Sequence, residues 1–171
     1  MVFKRSFQTP LGWILVEIEN DCISRIDFRE NPSENEGKHA LFLECEKQLQ
    51  AYFNGELEKF NLPIRTSGTP FQISVWEELK KIPFGTTVSY LAIAKGLNNE
   101  KAVRAVGQAI GKNPIAIVIP CHRVIGKNKA LTGFAGGLDR KRKLLQLENF
   151  ELFPLNSNQI LTNGKRNYTR I

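Results

Sequence analysis

The first thirty residues alternate between apolar and polar side chains at the spacing of β-strands. Ile14, Val16 and Ile18 are two positions apart. With this period of two residues, their side chains lie on the same face of a strand, which can pack against a core. Pro10 and Gly12 supply a turn just before this stretch. The pattern predicts three strands, over residues 2–8, 13–18 and 22–28.

A polar loop over residues 31–37 separates these strands from a segment with helical spacing. Between residues 38 and 53 apolar side chains recur every three or four positions, which is the period of an amphipathic helix. Asn54 and Gly55 then supply a C-terminal stop. The pattern predicts a helix over residues 38–53 in which Cys45 faces a core.

A linker over residues 66–68 leads into a second half with clear helix signals. Thr69 is predicted as an N-cap, and Pro70 occupies the first helical position. Gln72 stands three residues after the cap, as a capping box requires. The helix that starts here is predicted to end at Pro83 and to serve as scaffold.

Two short helical patterns follow, over residues 89–96 and 99–110, and meet at a polar turn. The second carries the small residues Ala102, Ala105 and Gly107, which would let its backbone approach DNA closely. Such a pair is typical of a helix-turn-helix whose second helix enters a DNA groove. An ordinary helical hairpin has the same pattern and stays open as the alternative.

These elements predict an α+β fold with two domains and a tail. A small N-terminal sheet-plus-helix domain is expected over residues 1–68, followed by a mostly helical DNA-binding domain with a helix-turn-helix over 69–150. Residues 151–171 form a polar tail whose function the sequence does not indicate. A chain of 171 residues with 42% apolar content is long enough to bury a core.

Charge is distributed unevenly between the two halves. Residues 1–68 carry a net charge of −3, residues 69–149 carry +8, and the whole chain carries +7. A basic region of this size favours a polyanionic partner, although a solvated basic face accounts for such a bias in many proteins. Nucleic acid is preferred here because the predicted DNA-reading element lies in the same region.

The strongest chemical signal follows the apolar run at residues 115–119, which is predicted as a buried, strand-like segment. After Pro120, the thiol of Cys121 and the imidazole of His122 stand side by side. A thiolate is the nucleophile in cysteine chemistry, and an oriented base is the usual way to generate one. A purely structural Cys121 is the alternative, since free cysteine is among the most buried residue types. Neighbours on a strand point to opposite faces, so a turn or a bridging water would have to join the two groups.

Composition indicates the cellular compartment and the kinds of cysteine site that can be expected. No apolar run approaches the roughly 20 residues of a membrane-spanning helix, and the first residues contain no apolar signal core. We therefore expect a protein of the reducing cytoplasm with no membrane partner. Cys22, Cys45 and Cys121 are widely spaced, and His39 and His122 are the only histidines. This distribution predicts no disulfide framework, no metal site and no other cofactor.

A further pattern lies in the order and spacing of short motifs between residues 90 and 148. These motifs are Tyr90, Arg104-Ala105-Val106-Gly107, Asn113-Pro114, Pro120-Cys121-His122-Arg123-Val124, Gly136-Gly137-Leu138 and Leu144-Leu145-Gln146-Leu147-Glu148. Their combination resembles the O6-alkylguanine-DNA alkyltransferase family, also called methylated-DNA–protein-cysteine methyltransferases. The resemblance is close over residues 69–149 and loose before them, and it implies a ribonuclease-H-like N-terminal domain.

The resemblance implies a DNA repair reaction on double-stranded DNA. As a thiolate, Cys121 would attack the alkyl carbon on O6 of guanine, while His122 takes the thiol proton through a bound water and Glu148 orients the imidazole. The product is a thioether, so each molecule reacts once, as a suicide enzyme that is stoichiometric rather than catalytic. O4-alkylthymine stays open as a second substrate, and a monomer suffices.

The resemblance also implies how the damaged base is reached, because its O6 group lies inside the duplex until the nucleotide is flipped out. Tyr90 would rotate the nucleotide and hydrogen-bond its base, Arg104 would fill the vacated stack, and Asn113 would be the hinge before the cysteine segment. Further DNA contacts are implied at Ala105, Gly107 and Arg123, and pocket walls at Val124, Phe134, Ala135 and Gly136.

Two of these pocket residues depart from the family pattern. Phe134 and Ala135 stand where many members have a tyrosine and a serine, and that serine hydroxyl helps to bind O6 of the base. Backbone N–H groups of Ala135 and Gly136 could supply donors instead. We therefore expect activity with an altered substrate preference or inhibitor sensitivity.

Two other classes of protein stay open. A Cys–His hydrolase or peptidase would use the same pair of side chains, but it would need neither a basic helix-turn-helix nor an intercalating Arg104. A non-catalytic binder of DNA lesions would keep Tyr90, Arg104 and Asn113 without needing the thiol of Cys121.

Overall fold

The computed structural model describes residues 1–33 and 36–148, and its N-terminal part is a three-stranded antiparallel sheet. The strands are β1 (Val2–Thr9), β2 (Gly12–Glu19) and β3 (Cys22–Arg29), with β2 in the centre. The alternating isoleucine and valine residues of β2 are fully buried. The three predicted strands are therefore confirmed.

A single helix, α1 (Leu41–Phe53), packs against this sheet. It starts three residues later than the spacing predicted, where the His39 ring accepts a hydrogen bond from the Leu41 N–H. Cys45 is fully buried, as expected, and burial raises the pKa of its thiol to about 12. This cysteine is consequently an unreactive core residue.

The second half opens with α2 (Pro70–Lys80) and the predicted capping box. Thr69 Oγ1 accepts from the Gln72 N–H at 3.2 Å, and Gln72 Oε1 accepts from the Thr69 N–H at 2.9 Å. The buried indole of Trp76 donates to the carbonyl of Ala109 at 2.9 Å. This bond ties α2 to the helix that carries the predicted DNA contacts.

Two helices pack together where the helix-turn-helix was predicted. The first, α3 (Tyr90–Gly96), follows a two-residue strand, β4 (Val88–Ser89). The second, α4 (Val103–Gly111), begins as a 3-10 turn over Glu100–Ala102, so its α-helical part is shorter than the predicted 99–110. The chain continues through a second two-residue strand, β5 (Val124–Ile125), which is parallel to β4, and through α5 (Leu138–Leu147).

The prediction of a strand over residues 115–119 is wrong. Ile115 makes one bridge to Ile26 of β3, and the chain then turns, with Ile117 at a φ of 70°. The Asn113 side chain stabilises this turn, because its Oδ1 accepts from the Ile115 N–H at 3.0 Å and its Nδ2 donates to the Ile119 carbonyl at 2.8 Å. The apolar run is buried, but it folds back on itself and returns the chain to Asn113.

The two halves share one hydrophobic core within the described residues. The edge of β3 also binds the segment after α4, since the Ile26 N–H donates to the Pro114 carbonyl and the Ala116 N–H donates to the Ile26 carbonyl, each at 2.9 Å. The N-terminal sheet is therefore bonded to the chain that leads into Cys121. Across residues 1–33 and 36–148, every helix is too short or too polar to span a bilayer.

Candidate active site

Cys121 lies at the wall of a cavity between the two halves of the chain. It begins a 3-10 turn, Cys121–Arg123, and only 6% of its surface is exposed. The Asn113 Nδ2 donates to the Cys121 Sγ at 3.1 Å. The cavity is also lined by residues from β3, α4 and the loop before α5, namely Asp27, Phe28, Ile110, Gly111, Asn113, Ala116, Gly133, Phe134, Ala135 and Gly136.

The turn directs the neighbouring imidazole of His122 into the protein interior, where it meets the end of α5. His122 Nε2 lies 2.8 Å from Glu148 Oε1, and both side chains are fully buried. Because a carboxylate only accepts hydrogen bonds, Nε2 carries the proton and Nδ1 is the basic nitrogen. Nδ1 is buried and has no hydrogen-bond partner among the described residues. This nitrogen is thus the one free to accept a proton.

Burial sets the resting protonation of both groups. It raises the pKa of the Cys121 thiol, against the lowering effects of the Asn113 hydrogen bond and the Lys141 cation. It lowers the pKa of His122, against the raising effect of Glu148. At neutral pH the resting pair is therefore a thiol and a neutral imidazole, so forming the thiolate needs a base within the site.

Arg123 holds the carboxylate of Glu148 from the other side. Its Nε donates to Glu148 Oε2 at 2.9 Å and its Nη2 to Oε1 at 3.0 Å, while Nη1 donates to the Ile82 carbonyl at 2.6 Å. The side chain is buried, so its guanidinium is not presented to a DNA backbone. The expectation that Arg123 contacts DNA is wrong, because the buried carboxylate occupies its donors.

A glycine lets the backbone join this network. The Gly85 N–H donates to Glu148 Oε2 at 3.2 Å, and a Cβ on Gly85 would lie 3.0 Å from the Glu148 carbonyl. Gly85 also has a φ of 71°, a left-handed conformation that side chains disfavour. The turn after α2 is thereby shaped to close over the carboxylate.

Tyr90 and the buried Lys141 meet at one carbonyl on the rim of the cavity. The Tyr90 hydroxyl donates to the Thr132 carbonyl at 2.9 Å, and Lys141 Nζ donates to the same oxygen at 2.8 Å and to the Gly133 carbonyl at 3.4 Å. Burial lowers the pKa of Lys141 to about 8, against the effect of the Cys121 thiolate. These bonds hold the loop that forms one wall of the cavity.

The remaining predicted pocket residues divide into two groups. Phe134, Ala135 and Gly136 line the cavity, whereas Val124 is fully buried in β5, where it pairs with Val88. The assignment of Val124 to the pocket wall is therefore wrong.

Gly136 is required by the aromatic pair beside it. A Cβ at this position would lie 2.7 Å from Phe134 and 2.8 Å from Phe28. The two rings form an edge-to-face pair with centroids 6.3 Å apart. Together they give the cavity an aromatic wall to which both halves of the chain contribute.

The predicted DNA contacts on α4 lie on its outer face. Arg104 and Ala105 are exposed, and Gly107 is half-buried beside the ring of Tyr90. The opposite face is buried through Val106, Ala109 and Ile110. The helix therefore exposes one cation, Arg104, and the small side chain of Ala105, and its C-terminal residues line the cavity that contains Cys121.

Sequence reasoning missed three residues of the site, one of which is Tyr52, whose hydroxyl donates to Glu148 Oε1 at 2.7 Å. Tyr52 and Phe28 come from the N-terminal half, and periodicity alone marks them as ordinary core residues. Lys141 stands in the polar run Asp139-Arg140-Lys141-Arg142-Lys143, where residue type alone does not distinguish it from the other cations. A helical period counted back from Leu144 and Leu145 would have placed Lys141 on the buried face.

The buried carboxylate network predicts a loss of stability in acid. Burial opposes the charged form of Glu148, but the hydrogen bonds from His122 and Arg123 and the charge of Arg123 outweigh it and lower the pKa of this carboxyl from 4.5 to about 2. The unfolded chain therefore binds protons first, both at Glu148 and at the buried neutral His122. The free energy of unfolding should fall as the pH drops below about 6.5, most steeply between about 4.5 and 2.

Urea denaturation at a series of pH values between 7 and 3 measures this effect. Glu77→Gln is the control, because Glu77 is exposed and pairs with Lys80 on the surface of α2. That variant should follow the wild-type curve. A free energy of unfolding that stays constant down to pH 3 would contradict the expected coupling.

Fold and site together define a class of protein: an α+β protein with a pair of packed helices beside a cavity, in which a buried cysteine is followed by a buried histidine–glutamate pair. The family described as "6-O-methylguanine DNA methyltransferase, DNA binding domain" matches residues 70–150, and "6-O-methylguanine DNA methyltransferase, ribonuclease-like domain" matches residues 2–66. The chain therefore belongs to the 6-O-methylguanine DNA methyltransferase family.

Individual relatives agree with this assignment. The methylated-DNA–protein-cysteine methyltransferase of Haemophilus influenzae is 44% identical over 149 residues, covering 83% of each chain. That of Methanosarcina acetivorans is 46% identical over 148 residues, covering 83% of this chain and 95% of the relative.

Solved structures show the same similarity. The O6-methylguanine methyltransferase of Mycobacterium tuberculosis matches with a TM-score of 0.80 at 40% identity, covering 91% of this chain and 97% of that one. The OGT protein of the same organism in complex with DNA matches with a TM-score of 0.76 at 41% identity, covering 85% and 91%. The α+β fold is thereby confirmed.

Proposed function

We propose that this protein repairs alkylated DNA by transferring the alkyl group from O6 of guanine to its own Cys121. The observation that carries the proposal is the position of the thiol. It lines a cavity together with Asn113 and the loop at 133–136, and the next residue, His122, forms a buried pair with Glu148. The exposed basic face of α4 borders the same cavity. The related methyltransferases described above support alkylated DNA as the substrate.

The reaction begins with deprotonation of the thiol. His122 takes the proton of Cys121 on Nδ1 through a bound water, and Glu148 stabilises the resulting imidazolium through Nε2. Lys141 and Asn113 favour the thiolate, the first through its charge and the second through its hydrogen bond to Sγ. Cys121 and His122 lie in a 3-10 turn, so the opposite-facing arrangement of neighbours on a strand does not apply to them.

The thiolate then attacks the alkyl carbon of the flipped base. A bond forms between Sγ and this carbon while the bond from the carbon to O6 breaks, and guanine leaves with the electron pair. Tyr90 hydrogen-bonds the purine at the rim of the cavity and can donate to it as negative charge develops there. The proton taken from the thiol balances the charge on the released guanine. The thioether has no leaving route, so one molecule repairs one lesion.

Access to the base depends on the outer face of α4. Arg104 fills the space that the flipped nucleotide leaves in the stack, and Ala105 and Gly107 allow the helix backbone to approach the duplex. Asn113 is the hinge between α4 and the cysteine segment, and its amide bonds both the turn and the thiol. The proposed substrate is double-stranded DNA bound by a monomer in the cytoplasm, with O4-alkylthymine as a possible second lesion.

Mass spectrometry tests the proposal directly. After incubation with duplex DNA that contains one O6-methylguanine, one methyl group should be found on the peptide that bears Cys121. The stoichiometry should saturate at one per protein. A lesion that is bound tightly with no adduct would make the protein a non-catalytic lesion binder. Repeated release of product from an ester or amide would make it a hydrolase.

Replacing Arg104 separates base flipping from chemistry. Flipping costs a few kcal/mol, so Arg104→Ala should slow transfer from duplex DNA by about tenfold or more while leaving the reaction with a free alkylguanine base nearly unchanged. Single-turnover rates with both substrates measure the difference.

Lys101→Ala is the matched control for the loss of a positive charge. Lys101 is exposed just before α4. The Lys101→Ala variant should bind DNA more weakly, in a salt-dependent way, without a selective loss of rate on the duplex. Equal losses with both substrates in the Arg104 variant would contradict a role in flipping.

A further inference from the structure

One buried hydroxyl of the active site comes from the N-terminal half of the chain. Tyr52, in the last turn of α1, is fully buried, and its hydroxyl donates to Glu148 Oε1 at 2.7 Å. The same hydroxyl oxygen lies 3.5 Å from His122 Nε2. Tyr52 thus touches both members of the pair that deprotonates Cys121, although 70 or more residues of sequence separate it from each.

The ring of Tyr52 is held on several sides. Its centroid lies 5.3 Å from that of Phe60, 5.5 Å from that of Phe53 and 6.2 Å from that of Phe84. These contacts leave the ring little freedom to move, so the position of its hydroxyl is determined by packing rather than by Glu148. A hydroxyl held in this way supplies a donor of fixed direction.

The oxygen that this hydroxyl binds is also the one that faces the imidazole. Glu148 Oε1 accepts from His122 Nε2 at 2.8 Å, from Arg123 Nη2 at 3.0 Å and from Tyr52 at 2.7 Å. Donors that share one acceptor oxygen compete for its electron density. The Tyr52 hydroxyl therefore weakens the attraction that Oε1 exerts on a proton at His122.

We propose that Tyr52 is a positioning residue of the active site. Its hydroxyl holds Glu148 Oε1 in place and weakens the interaction of this oxygen with the proton on His122. This inference rests on the proposed role of His122 as the base. An imidazole paired with an unrestrained carboxylate would already be protonated in mildly acidic conditions and unable to take the thiol proton. Tyr52 thus adds to the effect of burial in keeping the base neutral, and it does so from the half of the chain that is predicted to be a separate domain.

Tyr52→Phe tests this role, because it removes the hydroxyl and keeps the ring. The chain has two histidines, so ¹H–¹³C NMR can follow both through a pH titration. In the variant, the His122 signal should titrate about half a pH unit higher than in the wild type or more, since one donor to its partner carboxylate is gone. His39 lies against Asp21 and Phe3, away from this network, and its resonance serves as the internal chemical-shift reference for assigning the His122 signal.

The rate of methyl transfer provides the second measurement. Single-turnover rates are measured between pH 5.5 and 8.5. The acid limb of this profile, the range in which the rate falls as the pH drops, should move to higher pH in the variant, as the NMR titration does. The variant should be about threefold slower on the acid side and nearly unchanged at pH 8.5. A residue with only a structural role would lower the rate at every pH without moving the limb.

Phe60→Leu is the matched control, because Phe60 packs against the Tyr52 ring. It should lower the denaturation midpoint and leave the His122 titration and the acid limb in place. An equal displacement in this control, or an unchanged His122 titration in Tyr52→Phe, would overturn the proposal. Absence of methyl transfer in the wild type would overturn the proposed function instead, while the NMR titration would still report on Tyr52.

Discussion

A Cys121→Ser variant retains its fold and its affinity for duplex DNA but transfers no alkyl group. Serine preserves the small side chain and a hydrogen-bond acceptor for Asn113 Nδ2, which lies 3.1 Å from the sulfur. Its hydroxyl is far less acidic than a thiol, however, and the His122–Glu148 pair alone would have to deprotonate it in a buried site. We expect the methyl adduct to fall below detection, a loss of more than about a thousandfold in rate.

The measurement combines peptide mass spectrometry with a DNA-binding titration. Cys22→Ser is the control, because Cys22 lies half-buried at the start of β3, outside the residues that line the cavity. This variant should still accept one methyl group per molecule. A methyl group on any other residue of Cys121→Ser would show that the nucleophile has been chosen wrongly.

The second large effect is expected at Glu148. Glu148→Gln removes the charge that balances the buried Arg123 and the imidazolium of His122. Breaking a buried ion pair from one side leaves the other charge uncompensated, and this costs about 3–5 kcal/mol. Loss of the group that orients and stabilises the base should also slow methyl transfer by about a hundredfold or more.

A double variant separates these two consequences. Glu148→Gln combined with Arg123→Met removes both charges, so part of the stability lost in the single variant should return. The transfer rate should stay low, because His122 still lacks its carboxylate. Urea denaturation and single-turnover rates measure the two quantities. If Glu148→Gln transfers methyl groups within twofold of the wild-type rate, the pairing of His122 with Glu148 is not needed for the chemistry.

Local patterns predicted the secondary structure well where the local and tertiary requirements agree. The alternation in β2 and the capping box of α2 are both present in the structure. Each depends on residues within a few positions of one another, so neighbouring side chains are sufficient to specify it. The division of the chain at residue 68 stays a prediction, and the two halves share one core.

The apolar run at 115–119 shows where such patterns stop being sufficient. Five apolar residues in a row are consistent with a buried strand, and burial was predicted correctly. Only Ile115 pairs with a strand, however, because the Asn113 amide binds the backbone on both sides of the run and closes it into a turn. Asn113 lies outside the run, so the hydropathy of residues 115–119 does not show that its side chain competes with strand pairing.

The order of motifs in the sequence predicted Cys121 as the nucleophile, His122 as the base and Glu148 as the partner of that base, and these roles stay predictions. Cys121, His122, Asn113 and Glu148 were recognised from motif order, and the structure brings all four to one cavity and the network behind it. Roles that follow from long-range contacts were decided only by the tertiary structure. It buried Arg123 against Glu148 and brought Tyr52 and Phe28 from the N-terminal half into the site. The reason is physical: hydropathy periods report which residues are buried, but the partner of a buried polar group depends on packing between segments that are far apart in the chain.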